Sequence, residues 1–139
     1  MSLVRIDAGP YSFAARLEEA AAPRTVARFR SLMPYHERII HARWSGESCW
    51  IPLGDLDLGL GYENPTSYPA PGQILLHPGG ISETEILLPY GSCQFASKVG
   101  VLAGNHFLTI THDLDKLTEL GKMVLWQGAQ NIEFTLAGG

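Results

Sequence analysis

Residues 38–53 read RIIHARWSGESCWIPL, from Arg38 to Leu53. Apolar and polar side chains alternate on both sides of Gly46-Glu47, which makes the stretch a β-hairpin. Glycine in the first central position suits a two-residue type II′ turn, because that turn needs a positive φ there. The predicted register sets Trp44 opposite Cys49, Arg43 opposite Trp50, Ala42 opposite Ile51 and Ile40 opposite Leu53. Side chains alternate between the faces of a sheet, so Ile40, Ala42, Trp44, Cys49, Ile51 and Leu53 form a core face. His41, Arg43 and Trp50 share the other. A simple solvated face does not call for a large indole beside a guanidinium.

Upstream, Tyr11, Phe13, Ala15 and Leu17 alternate with Ser12, Ala14 and Arg16, a strand whose partner is Leu3–Ile6 across the Ala8-Gly9-Pro10 turn. Ala22–Met33 changes to a helical period. Val26, Phe29, Leu32 and Met33 fall on one face, Pro23 suits the first turn and Pro34 stops the helix. Arg24, Arg28 and Arg30 lie on the solvated side. Downstream, Asp55–Pro71 is a long ordered connection, a kind of segment that often carries function. Gln73–His77 and Ile81–Leu88 read as two strands across Pro78-Gly79-Gly80, with the register open because loops of two to four residues all fit. Gly91–Gly104 reads as a loop and Phe107–Thr111 as a strand. Asp113 caps a second helix whose Leu114, Leu117 and Val124 share a face and which Gly121 weakens. Ile132, Phe134 and Leu136 mark the closing strand. The whole is a single domain over residues 1–139, mainly β: a closed barrel of about eight strands with two covering helices.

The 139 residues are 45% hydrophobic and 17% charged. A chain this apolar offsets its ordering entropy, which excludes disorder. Ten basic against fourteen acidic residues give a net charge of −4, the opposite of what a nucleic-acid binder shows. All seven Arg lie in residues 1–45 against four acids, a net +3, whereas residues 46–139 carry three Lys against ten acids, a net −7. These opposed charges, the low charged fraction and the Tyr- and Pro-rich connection predict a homodimer. Cys49 and Cys93 have no ligand-like spacing, no signal-peptide pattern opens the chain, and no apolar run reaches the ~18 residues of a membrane span. A cytoplasmic protein with two free thiols, and with neither membrane nor nucleic-acid partner, is the expectation.

Three groups are candidates for a ligand site. His41, Arg43 and Trp50 form the first: a cation over an indole gains ~0.5–2 kcal/mol, and the same face equally suits an oligomer interface. Glu83 and Glu85 form the second. On one strand they point the same way with Cα atoms ~7 Å apart, so they can meet one cation or act as an acid–base pair. Asn105 and His106 form the third, a polar pair just before an apolar strand, where either pocket lining or turn chemistry fits. His36, His77 and His112 show no metal-ligand spacing, so neither metal nor cofactor is expected.

Leu17, then Ala22-Pro23-Arg24-Thr25-Val26-Ala27-Arg28-Phe29, then Tyr35-His36-Glu37-Arg38-Ile39-Ile40 resemble the strand, Pro-x-Thr-x-x-x-Phe helix and arginine strand of cyclophilins. A more specific likeness runs through His41–Glu47, Pro78–Glu85 and Gly104–Phe107, which resemble a bacterial family of uncharacterised cyclophilin-like proteins. The resemblance implies a cyclophilin-like barrel and no established activity. Arg38 takes the place of the cyclophilin arginine, but His41–Gly46 lacks the Phe and Gln that bind a prolyl peptide, so prolyl isomerisation is not expected. The reading that follows is a domain binding a small polar ligand, anionic or zwitterionic. Arg43 pairs its charge, Trp50 covers it, His41 hydrogen-bonds it and Glu83 or Glu85 meets any cationic end. Alternatives are a lyase- or hydrolase-type enzyme with a His/Glu acid–base pair, or a structural subunit that buries its indole face in a partner.

Overall fold

The structure is a computed structural model and describes residues 3–137. Its strands are β1 (Leu3–Ala8), β2 (Tyr11–Leu17), β3 (Tyr35–His41), β4 (Gly46–Pro52), β5 (Pro65–Thr66), β6 (Gln73–His77), β7 (Glu85–Cys93), β8 (Ala96–Ser97), β9 (Gly100–Val101), β10 (Gly104–Ile110) and β11 (Gln130–Ala137). Two helices join them, α1 (Pro23–Arg30) and α2 (Leu114–Gln127). Among the described residues, eight strands close an antiparallel barrel in the order β2-β1-β11-β3-β4-β7-β6-β10, and β10 returns to β2 through Leu108–Ile110. The mainly β, closed-barrel reading therefore holds. Closure leaves no free edge among those eight strands.

Alternation fills the interior as the sequence implies. Val4, Ile6, Ala8, Phe13, Ala15 and Leu17 all point inward from the β1–β2 hairpin, whose Gly9 turns at φ 53°. Helix α1 adds Val26 and Phe29; the Phe29 ring lies 4.9 Å from Phe107 and 5.1 Å from Phe134. Helix α2 adds Leu117, Leu120 and Val124, and packs on β3, β4 and β7.

Several local expectations need correction. Helix α1 ends at Arg30, and Arg28 and Arg30 are half-buried: Arg28 Nε donates to the Leu58 carbonyl at 3.2 Å and Arg30 pairs with Glu19 at 3.3 Å. Asp113 occupies the N-cap position of α2 with φ 60° and makes no side-chain cap bond. Leu114 and Leu136 are exposed. Gly121 weakens helix propensity but is what lets α2 close on the barrel, since a Cβ there would lie 2.1 Å from the Tyr90 ring. Alanine ordinarily stabilises a helix by ~1 kcal/mol over glycine. Here Gly121→Ala is expected to lower stability by a net of up to ~2 kcal/mol in urea unfolding, because overpacking costs ~1–3 kcal/mol. A rise in stability would contradict the packing of Tyr90 on α2.

The largest correction is the hairpin register. Strand β3 meets β4 with Ile40 opposite Trp50 and His41 opposite Cys49, and the Ala42 N–H donates to the Ser48 carbonyl at 2.9 Å. The pairing is three residues away from the predicted one, an odd shift that exchanges faces. Gly46 is no turn centre: it pairs with Cys93 of β7, and a Cβ there would lie 2.7 Å from the Ser92 carbonyl oxygen. Glu47 accepts from the Ser92 N–H, and Ser45 both donates to and accepts from the Ala96 backbone. Ile39, His41, Cys49 and Ile51 therefore line one face of the wall, while Ile40, Ala42 and Trp50 line the other. Trp44 stands on the same cavity wall as Trp50 and is 59% exposed, not in the core.

The apolar runs Ile74-Leu75-Leu76 and Ile86-Leu87-Leu88 do not alternate, so no period in them marks the face turned to the core. Strand β6 begins and ends where the sequence puts it, but β7 starts only at Glu85, and residues 81–84 form a loop. The reason for the unbroken runs is burial on both faces. Ile74, Leu76, Ile86 and Leu88 join the barrel core, whereas Leu75 and Leu87 pack outside it with Phe95, Leu102 and Trp50. The outer layer comes from residues 94–103, read from sequence as a loop, which contain the β8–β9 hairpin.

Candidate functional site

Between the barrel wall and that outer hairpin lies a cavity of about 520 Å³. Four segments enclose it: the β3–β4 connection with Arg43 and Trp44, Trp50 of β4, residues 81–85 with Glu83 and Glu85, and the hairpin tip with Lys98. Arg43 precedes the start of β4, and Glu85 pairs with Pro52 at its end, so basic and acidic groups enter from opposite ends of the strand. None of Arg43, Lys98, Glu83 and Glu85 has a side-chain hydrogen bond or ion pair among the described residues. Arg43 and Lys98 are exposed, whereas Glu85 is only 5% exposed. Burial, and then the Glu83 carboxylate, raise the Glu85 carboxyl to about 8, so it is largely neutral at pH 7. The Trp50 indole N–H is shielded from solvent and has no acceptor.

Of the seven candidate residues, the cavity brings together Arg43, Trp50, Glu83 and Glu85. His41 turns to the other face of the wall. Its Nδ1 lies 2.8 Å from the Ala42 carbonyl, which can only accept, so Nδ1 carries the proton and Nε2 accepts from the Tyr90 hydroxyl at 2.8 Å. Asn105 is fully buried as a structural tie: its amide accepts from the Glu63 N–H and donates to the Gly61 carbonyl and the Thr25 hydroxyl. Glu63 in turn accepts from the Thr25 N–H at 2.8 Å, the cap that α1 lacks from its own N-cap residue. His106 donates through Nε2 to Thr109 at 2.7 Å, and Thr109 donates to Glu18. Burial lowers the His106 pKa. Neither histidine shares the cavity with a glutamate, so the His/Glu pairs expected from sequence are not assembled there.

Trp44, Lys98 and the rim residues Ile81 and Val99 were missed. The available signal was Phe95 and Leu102, an apolar pair that brackets Ala96–Val101 as a hairpin's base would. Cys49 is buried, and that burial raises its thiol to about 12, so it serves as a core residue. Arg38 is exposed on the outer side of β3. No group of three or more His, Cys, Asp or Glu side chains among the described residues is placed to hold a metal ion. No described helix is long and apolar enough to cross a membrane.

A family profile described as "Protein of unknown function (DUF3830)" matches residues 4–136. Among curated proteins, none matches the chain. Of the solved structures, that of McbB in complex with tryptophan is similar in fold, with a TM-score of 0.74 at 16% identity. The likeness covers 98% of this chain and 45% of that one, so this chain spans less than half the length of McbB.

Proposed function

Since the chain belongs to the DUF3830 family of proteins of unknown function, we propose its role from the cavity: a cyclophilin-like domain that binds a small polar molecule, anionic or zwitterionic. The observation that carries this reading is the set of uncompensated charges around one enclosed, partly apolar space. Ligand sites have this composition, an apolar lining with a few convergent polar groups and a volume of ~300–1,000 Å³. With Glu85 largely neutral at pH 7, Arg43 and Lys98 outweigh Glu83, which favours an anionic group on the ligand. Trp44 and Trp50 suit a flat apolar body. McbB was solved with tryptophan, a zwitterion with an indole, and that supports a ligand of similar chemistry here. The exposed rim of Trp44, Ile81 and Val99 is consistent with a homodimer that covers the mouth.

Calorimetric titration at pH 7 with 3-phenylpropionate, L-tryptophan and tryptamine tests the reading. The anion and the zwitterion are expected to bind at least tenfold more tightly than the cation, and Arg43→Ala with Lys98→Ala to remove that preference. Tightest binding by tryptamine, or heats of binding from none of the three, would refute it.

A further inference from the structure

We infer that the cavity is a site of proton transfer as well as of binding, in which the Glu85 carboxyl exchanges a proton with the carbon beside the carbonyl of a small 2-oxo carboxylate. This rests on the binding reading above and adds a reaction to it.

Glu85 is almost fully buried, lines the cavity and has no hydrogen-bond or ion-pair partner among the described residues. Its carboxyl oxygens are not sealed from solvent, so a ligand in the cavity can supply the partner that the protein does not. The β4–β7 register adds a second observation. Trp50 stands opposite Leu87 and Glu85 opposite Pro52, so Trp50 and Glu85 are diagonal neighbours on the face that lines the cavity. Such neighbours lie ~7–8 Å apart at the backbone, which sets the indole ring as an apolar wall within reach of the Glu85 carboxyl. The Trp50 N–H is shielded from solvent and is not offered to the cavity, so the ring and not its N–H meets the substrate. Arg43 and Lys98 supply the charge that a substrate carboxylate needs.

The cavity also lacks an activated nucleophile. Ser45 is engaged by the Ala96 backbone and the Ser97 hydroxyl by the Val99 N–H, and Ser82 has no hydrogen-bond partner among the described residues, so no histidine or carboxylate is bonded to any of the three. A base and an anion anchor without an activated nucleophile suit proton transfer rather than group transfer. Burial beside Glu83 also sets the Glu85 carboxyl near 8, the neutral range in which a general acid–base group works best.

In the step itself, ionised Glu85 takes the C3 hydrogen as a proton. The C–H electron pair becomes the C2=C3 double bond, and the carbonyl π pair moves onto oxygen, whose charge the cationic side of the cavity, Arg43 and Lys98, offsets. Protonated Glu85 then returns the proton to that oxygen or to C3. The net change is keto–enol interconversion, with no redox partner and no leaving group. The groups facing Glu85 are Glu83 from the preceding loop, His77 as its register partner on β6, and Arg43 and Lys98 from the far walls.

The experiment follows loss of the C3–H proton signal of pyruvate, phenylpyruvate and indole-3-pyruvate in deuterated buffer, with their binding measured alongside. Acceleration of at least ~100-fold over buffer is expected for one of the aryl acids, within the usual range for general acid–base catalysis. The rate should rise with pH through about 8. Glu85→Gln should abolish it while affinity stays within about threefold. Binding without faster exchange, or exchange that survives Glu85→Gln, would overturn the proton-transfer proposal and leave the binding reading standing. Absence of both binding and exchange for all three acids would overturn both.

Discussion

Glu85→Gln is expected to stabilise the protein at pH 9 and to leave it nearly unchanged at pH 4. The folded carboxyl titrates at about 8 against an ordinary value of 4.5. Below pH 4.5 the folded and unfolded states both hold the proton, so the group imposes no penalty. As pH rises toward 8, the unfolded chain ionises and the folded one does not, so stability falls. Above 8 the loss is complete. The shift sets this loss at about 5 kcal/mol as an upper bound, and glutamine, which keeps the shape but cannot ionise, escapes it. Urea unfolding of both proteins at pH 4, 7 and 9 measures the difference. Parallel pH profiles would show that Glu85 is solvated or paired. A gain in stability on removing a carboxylate would also fit a position held for function rather than for folding.

Phe29→Ala is expected to cost ~3–5 kcal/mol, the range for emptying a buried aromatic site. Phe29 is the largest side chain through which α1 joins the core, beside Val26. Its ring meets Phe107 of β10, Phe134 of β11 and Tyr35 of β3, the last at 5.9 Å. These strands are not all neighbours in the sheet, so no single strand can shift to fill the space. Phe29→Leu should recover most of the loss, since it refills most of the volume. Denaturation midpoints at unchanged slope test this; a loss under ~1 kcal/mol for Phe29→Ala would mean that α1 is peripheral to the barrel.

The two substitutions probe parts of the molecule that were unequally legible. Strands β1, β2 and β11 bury alternate residues against one core, so the period in the sequence is the period of burial. The α1 face was readable for the same reason, because Val26 and Phe29 are one helical turn apart. The β4–β7–β6 wall is buried on both sides, and its unbroken apolar runs carry no phase. There, register comes from tertiary neighbours: Gly46 admits the β7 backbone, and Glu47 and Ser45 bind Ser92 and Ala96. A reader of the hairpin alone cannot see β7, and so assigns Gly46 to a turn.

The candidate site divides along the same line. Arg43 and Trp50 were recognisable because a guanidinium beside an indole is out of place on a solvated strand, and Glu83 and Glu85 as a carboxylate pair close after Gly79-Gly80. Lys98 and Trp44 were not, because only the outer hairpin brings Lys98 over the wall and only the four-residue link between β3 and β4 places Trp44 at the rim. His41, Asn105 and His106 carry the same polar chemistry but spend it on Tyr90, on the Thr25–Glu63 cap and on Thr109. Sequence by itself determined the barrel, its two helices and most of the inward-facing side chains, since local periodicity records which face is buried. Only the tertiary structure decided which polar groups share a cavity, since that depends on strand register and on contacts between segments far apart in the chain.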